Sequence, residues 1–124
     1  MMNAVKLRRP ALTIRQPYAW LIVAGLKPIE NRTWSTTYRG PLLIHAAVKL
    51  HDHSVAEVER HYGVNVDQDA FRFGGIIGQV DLVDVVTGSY RSKWFEGPFG
   101  WVLENPRPLP FRALRGGQGL FEAQ

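Results

Sequence analysis

Apolar positions along the first third of the chain come in short runs cut by proline and glycine, so the pattern predicts frequent changes of element. Ala11–Ile14 reads as a first strand. Pro17 suits the first helical position, where its missing N–H has no intrahelical partner, and Gly25 suits the left-handed residue that ends a helix. Trp20, Leu21 and Ala24 fall at helical spacing between them, which predicts a helix over Pro17–Ala24. It is short and almost wholly apolar, so it should plug a sheet or barrel rather than lie on the surface. Lys27–Trp34 follows as a strand, with Glu30, Arg32 and Trp34 on one face and Ile29 and Asn31 on the other. After a polar turn over Ser35–Gly40, the continuous apolar run Pro41–Ala47 predicts a buried strand.

The second half is read the same way. Ser54 is an N-cap with Glu57 completing a capping box, for a helix to about Tyr62 stopped by Gly63. Asn65–Gly74 is a loop whose Asp67 and Asp69 lack the glycine and distal glutamate of a calcium loop. Gly75–Val86 is the longest strand, with Ile76, Val80 and Leu82 on one face, Gln79 and Asp81 on the other, and a bend or bulge at Gly78. No helix follows Gly78, so the glycines there do not form a phosphate loop. Phe99–Glu104 is a further strand. Pro106, Pro108 and Pro110 then force an extended path that suits an edge strand, and Leu120 and Phe121 anchor the end of the chain. Five or six short strands, two or three helices and no strand–helix alternation predict an α+β fold: a small mixed β-barrel capped by helices.

Length and composition narrow the picture. With 124 residues, 45% of them apolar, the chain makes one domain. Residues 1–10 read as a basic arm and 11–124 as the domain proper. There is no cysteine, so neither a disulfide framework nor a thiolate metal site is available. No apolar run has the length of a signal peptide or a membrane span, so the expected location is cytoplasmic, without a membrane partner. His53, Glu57 and His61 recur at helical spacing but lack the pattern of a zinc helix and a second cluster, so neither metal nor cofactor is expected.

Charge is unevenly distributed. Residues 1–50 hold eight Lys/Arg against the single acid Glu30, a balance of +7, while residues 51–104 hold four bases against nine acids, a balance of −5. If the basic residues meet in space, one side of the domain attracts polyanions. Lys27, Glu30 and Arg32 stand just past the predicted helix end, where polar side chains can face a cleft. His45 lies in an apolar setting that more often holds a hydrogen-bonded core histidine than a catalytic base.

The spacing of Gly25, Lys27, Glu30 and Arg32 resembles the Gly-x-Lys-x-x-Glu-x-Arg signature of the activating-signal-cointegrator homology (ASCH) domains, part of the PUA-like superfamily. The flanks Ile14–Trp20, Trp34 and Tyr38–Ala47 resemble the subgroup related to the coactivator's own C-terminal domain. The resemblance implies a PUA-like barrel with a cleft beside the first helix, suited to nucleic acid or a nucleoside. Some members bind RNA or DNA, some are reported as ribonucleases, and a compact branch deacetylates N4-acetylcytidine with a lysine and, three residues later, a threonine nucleophile. Here Glu30 takes the threonine position, and a carboxylate does not replace an alkoxide nucleophile without changing the chemistry.

Three functions follow as expectations. The first is binding of nucleic acid, RNA or a single strand above all, through Arg15, Gln16, Lys27, Glu30, Arg32, Trp34, Tyr38, Arg39, His45 and Lys49, with cations on phosphates and aromatics on unpaired bases. The second is hydrolysis of RNA or a modified, acylated nucleoside, with Lys27 stabilising negative charge and Glu30 as general base. The third is protein interaction through the acidic middle of the chain.

Overall fold

The computed structural model describes residues 7–124. The chain runs β1 (Pro10–Gln16), α1 (Tyr18–Val23), β2 (Ile29–Arg32), β3 (Gly40–Leu50), α2 (Val55–Tyr62), β4 (Gly75–Val86), β5 (Phe99–Ala113) and β6 (Leu120–Glu122), with one 3-10 turn at Gln68–Ala70. This is the expected α+β mixture of six strands and two helices. Most of the expected basic arm, Lys6 included, lies outside the described residues; of the remainder, the Arg8 and Arg9 amides donate to the Glu122 carboxylate at 2.7 and 3.0 Å.

All six strands form one sheet in the order β2-β5-β4-β3-β1-β6, with β1 and β3 parallel and every other pair antiparallel. The hydrogen-bonded order is open at β2 and β6, so the ladder does not close into the expected barrel. The sheet nevertheless curls back on itself. Arg32, at the end of β2, donates from Nη2 to the Thr13 carbonyl of β1 at 2.9 Å, although three strands separate β2 from β1 in the sheet. The Trp34 ring reaches the glycine turn at Gly119 beside β6. Side chains therefore span the seam that backbone bonds leave unjoined.

α1 forms where the sequence places it and packs inward. Leu21 N–H donates to the Pro17 carbonyl, and Gly25 adopts φ +83°, which lets the amides of Leu26 and Lys27 both return to the Leu21 carbonyl at 2.9 and 3.0 Å. Ala19, Ile22 and Val23 join Leu12, Ile14, Leu42, Ile44, Val80, Leu82 and Trp101 in the largest apolar cluster. A second cluster of Leu21, Ile29, Val58, Tyr62 and Trp94 ties α1 and β2 to α2. α2 carries the expected cap: Ser54 Oγ accepts from the Glu57 amide at 3.1 Å, and Gly63 ends the helix at φ +67°.

Gly78 lies at the expected irregularity, where the β4 register slips against both β3 and β5. A Cβ there would lie 2.6 Å from a Val23 methyl and 2.7 Å from the Arg107 carbonyl oxygen, so only glycine lets α1 seat on the sheet. β5 corrects the edge-strand expectation in part. It runs on through the prolines to Ala113 and lies between β2 and β4, but β2 covers only Phe99–Val102. All three prolines fall in the longer stretch beyond, which pairs with β4 alone and whose register slips on either side of Arg107 and Pro108, so their missing N–H groups sit where the ladder is one-sided and irregular.

Replacing Gly78 by alanine is expected to destabilise the domain by about 2 kcal/mol through overpacking against backbone. Alanine at Gly63, where a Cβ meets nothing within 4 Å, is expected to cost only about 1 kcal/mol of left-handed strain. Urea unfolding of the two variants checks the order.

Candidate functional site

The Gly25 turn sends the chain back beneath α1, so that Lys27 is buried against Tyr18, with Nζ 5.4 Å from the ring centroid. Its ammonium donates to the Ile29 carbonyl and, at 3.2 Å, to Glu30 Oε1. Glu30 Oε2 accepts from Arg32 Nε at 3.0 Å and lies equally close to Nη2. Alternation along β2 puts Glu30 and Arg32 on one face, as the sequence predicts. The result is a line of charges, positive, negative, positive, running from the helix end to the seam, with a net charge of +1. Lys27 is 4% exposed and Glu30 8%, and the carboxylate has a cation at each oxygen.

Above this line a cleft of about 740 Å³ opens along the seam. Thr13 and Arg15 of β1 form one wall, and Asn31 to Trp34 form the other. Ala47 to Lys49, at the end of β3, and His51, His53, Tyr18, Tyr62 and Glu96 complete the lining. Arg15 and Lys49 are exposed, while Lys27 and Glu30 are buried. Burial, and then the nearby Glu96 and Glu30, raise the Tyr18 hydroxyl above the ordinary tyrosine value. Burial and the hydrogen bond to Glu96 raise that of Tyr62. Both are neutral phenols at physiological pH. Burial, reinforced by His53 beside it, lowers His51 below the ordinary histidine value, so a neutral imidazole is favoured there.

Of the ten residues singled out from the sequence, Arg15, Lys27, Glu30, Arg32, Trp34 and Lys49 come together in this cleft, and Gln16, Tyr38, Arg39 and His45 do not. Gln16 is fully buried, where it accepts from the Trp20 amide at 2.8 Å and donates to the Arg72 carbonyl at 3.1 Å. His45 is 2% exposed, with Nε2 2.5 Å from the Leu114 carbonyl and Nδ1 3.2 Å from Thr13 Oγ1. A carbonyl only accepts, so Nε2 bears a proton and the ring is a satisfied core histidine. Tyr38 donates to the Pro41 carbonyl, and Arg39 holds the Thr36 and Tyr38 carbonyls at 2.8 Å, so both brace the turn before β3. The basic residues are thus divided: Arg15, Lys27, Arg32 and Lys49 converge, while Arg39 lies 3.8 Å from Asp84 and the Arg8 and Arg9 amides are at the Glu122 end.

Sequence reasoning missed Tyr18, His51, Tyr62 and Glu96 as lining residues and took His53 only as a possible metal ligand. Glu96 is positioned by Asn31, whose Oδ1 accepts from the Glu96 and Gly97 amides at 2.8 and 3.0 Å and whose Nδ2 donates to the Trp94 carbonyl at 2.9 Å. Among the described residues no group of three or more His, Cys, Asp or Glu side chains converges on a metal position, and no helix is long and apolar enough to cross a membrane.

A curled, open six-stranded sheet plugged by α1, with a cationic and aromatic cleft along its seam, defines a small PUA-like α+β domain. The family model for the ASCH domain matches residues 12–109, and the chain belongs to that family. It is 31% identical over 111 residues to activating signal cointegrator 1 of Homo sapiens and 29% identical over 111 residues to that of Mus musculus. Each match covers 79% of this chain but 19% of the relative, so the chain spans about a fifth of the length of these relatives. Among solved structures, the ASCH protein of Zymomonas mobilis aligns with TM-score 0.56 and 15% identity over 94% of this chain and 88% of the other. A tyrosine-to-phenylalanine mutant of that protein aligns with TM-score 0.57 and 15% identity over 94% and 91%. These structures share the fold.

Breaking one side of a buried charge pair leaves the other charge uncompensated, so Glu30→Gln, which strands two cations, is expected to destabilise the domain by about 3 kcal/mol. The double variant Lys27→Met/Glu30→Gln is expected to lose less than the two single variants added together. A double-mutant cycle by urea unfolding, repeated at high salt, measures the coupling.

Proposed function

We propose that this ASCH domain binds single-stranded nucleic acid, RNA in the first place, with phosphates on Arg15, Lys49 and Arg32 and an unpaired base entering the cleft. The observation that carries the reading is the meeting of exposed cations and half-buried aromatic rings, Tyr18 and Trp34, in one hollow of nucleotide size. Cations alone attract any polyanion by releasing its counterions, and rings alone pack cores. Their juxtaposition at a solvent-reachable seam suits a strand whose bases are unstacked, because a duplex hides the base faces that aromatic side chains bind.

In this reading Glu30 positions the cations and is not a general base. Each of its oxygens is held by a cation, and the same two cations form the floor on which an anionic group would sit. The hydrolase expectation from the sequence gains no support from that geometry.

Anisotropy titrations with short single-stranded and duplex RNA and DNA over a range of salt test the proposal. Single-stranded RNA is expected to bind most tightly, with affinity falling as salt rises. Arg15→Ala/Lys49→Ala is expected to weaken binding regardless of sequence and to reduce the slope of log affinity against log salt by about 1.4, at about 0.7 per phosphate contact. Absence of binding at low salt overturns the reading. Incubation with RNA and acetylated nucleosides is expected to yield no product, and product formation abolished by Glu30→Gln overturns the positioning role.

A further inference from the structure

A second hollow of about 500 Å³ opens along α2, and Tyr18, His53, Tyr62 and Glu96 line both it and the seam cleft, so the two adjoin as a trough with a shared wall. Charge changes sign along this trough. The seam end gathers four cations around Glu30, whereas the α2 end holds the carboxylates Glu57 and Glu96, with Arg60 and the histidines His53 and His61 beside them. Glu57 is turned toward its own helix cap, with Oε1 accepting from Ser54 Oγ at 3.0 Å.

Glu96 is different. Its backbone is fixed by Asn31, and its Oε1 accepts from the Tyr62 hydroxyl at 2.8 Å. Tyr62 in turn is locked by a parallel stack on Trp94, with centroids 4.1 Å apart. Among the described residues no donor reaches Oε2. A carboxylate held at the wall of a trough, with one oxygen unclaimed, accepts hydrogen bonds and repels carbonyl oxygens.

We propose that the α2 end of the trough is a base-reading subsite in which Glu96 selects guanine. This rests on the proposed binding of single-stranded RNA and adds the base to it. Guanine carries two adjacent donors, N1–H and the N2 amine, on its Watson–Crick edge, the pattern that a carboxylate accepts. Uracil offers one N–H flanked by two carbonyl oxygens, which face the carboxylate unfavourably. Cytosine and adenine present a single amine beside an acceptor nitrogen. The sign change sets the polarity of the bound nucleotide, with its phosphate at the seam end and its base edge at Glu96.

Uridine pentamers carrying guanosine, adenosine, cytidine, inosine or 7-deazaguanosine at the centre, titrated at fixed salt, test this. The guanosine pentamer is expected to bind about tenfold more tightly than all-uridine RNA. Inosine, which lacks the N2 amine, is expected to lose most of that advantage, and 7-deazaguanosine, whose Watson–Crick edge is intact, to keep it. Glu96→Gln retains an acceptor for Tyr62 and is expected to abolish the preference while leaving the salt slope unchanged. Tyr62→Phe, which keeps the stack on Trp94, is expected to reduce it. Equal binding of all pentamers with a normal salt slope, or a preference that survives Glu96→Gln, overturns the subsite but not RNA binding. Absence of binding by any pentamer at low salt overturns both.

Discussion

The structure depends on one buried carboxylate. Glu30 holds Lys27 on one oxygen and Arg32 on the other, and Arg32 continues across to the Thr13 carbonyl. This matters because the sheet has two free edges that never pair. A strongly twisted sheet that stops short of closure leaves a gap lined by backbone groups, and something must bridge it or water will fill it. Here a guanidinium bridges the floor while the upper part of the gap is open. The cleft is therefore the unclosed seam of the sheet, and its chemistry follows from what closes the floor. A lone arginine at this depth would carry an uncompensated charge; the neighbouring acid makes it tenable, and Lys27 leaves the set with excess positive charge facing the opening.

The apolar framework is arranged to deliver those three side chains. α1 is too short to be stable alone and forms because Ala19, Leu21, Ile22 and Val23 are all buried on the sheet and against α2. Close seating requires the absence of a side chain at Gly78, and the reversal that brings Lys27 under Tyr18 requires the left-handed conformation at Gly25. Two glycines far apart in sequence thus serve one end, the depth at which the ammonium meets the carboxylate. Trp101, fully buried opposite Glu30 on β5, completes the arrangement by donating from Nε1 to the Trp34 carbonyl at 3.3 Å.

What was legible in the sequence is what local rules govern. Pro17 and Gly25 bracket α1, Ser54, Glu57 and Gly63 bracket α2, and alternation along β2 puts Glu30 and Arg32 on one face, because each depends on residues within a few positions of one another. Strand order is not local. Nothing near Pro106 tells that β5 is interior for its first four residues, since that depends on β2, seventy residues earlier in the chain, covering only Phe99–Val102. The site divides in the same way. Six of the ten expected residues reach the cleft because β1 and the segment Lys27–Trp34 through β2 face each other across it and the end of β3 completes its lining. Gln16 and His45 are polar residues on those same strands, but they point into the interior, where backbone carbonyls satisfy them. Tyr62 and Glu96 arrive from α2 and from the loop before β5, and only the folded contact between Asn31 and residues 94–97 reveals them.

The trough contains two kinds of carboxylate, and their environments assign them different work. Glu30 sits where both oxygens meet cations and little water reaches, so its charge is consumed in holding the seam together. Glu96 stands exposed at the junction of the two hollows, where a neutral phenol, not a cation, claims one oxygen. A phenol fixes orientation without cancelling charge, so the acceptor strength of the second oxygen is retained. Burial of Tyr62 and its bond to Glu96 both disfavour the phenolate, which keeps this donor in place through the physiological range. Glu30 therefore holds the floor of the cleft, whereas Glu96, the reading residue of the proposed subsite, keeps one oxygen that no donor reaches among the described residues. If Glu96 reads the base as proposed, the group that selects is separable from the group that builds the seam: the loop of Glu96 is fixed to β2 through Asn31 and through the packing of Trp94 in one cluster with Ile29, whereas Glu30 is fixed by Lys27 and Arg32.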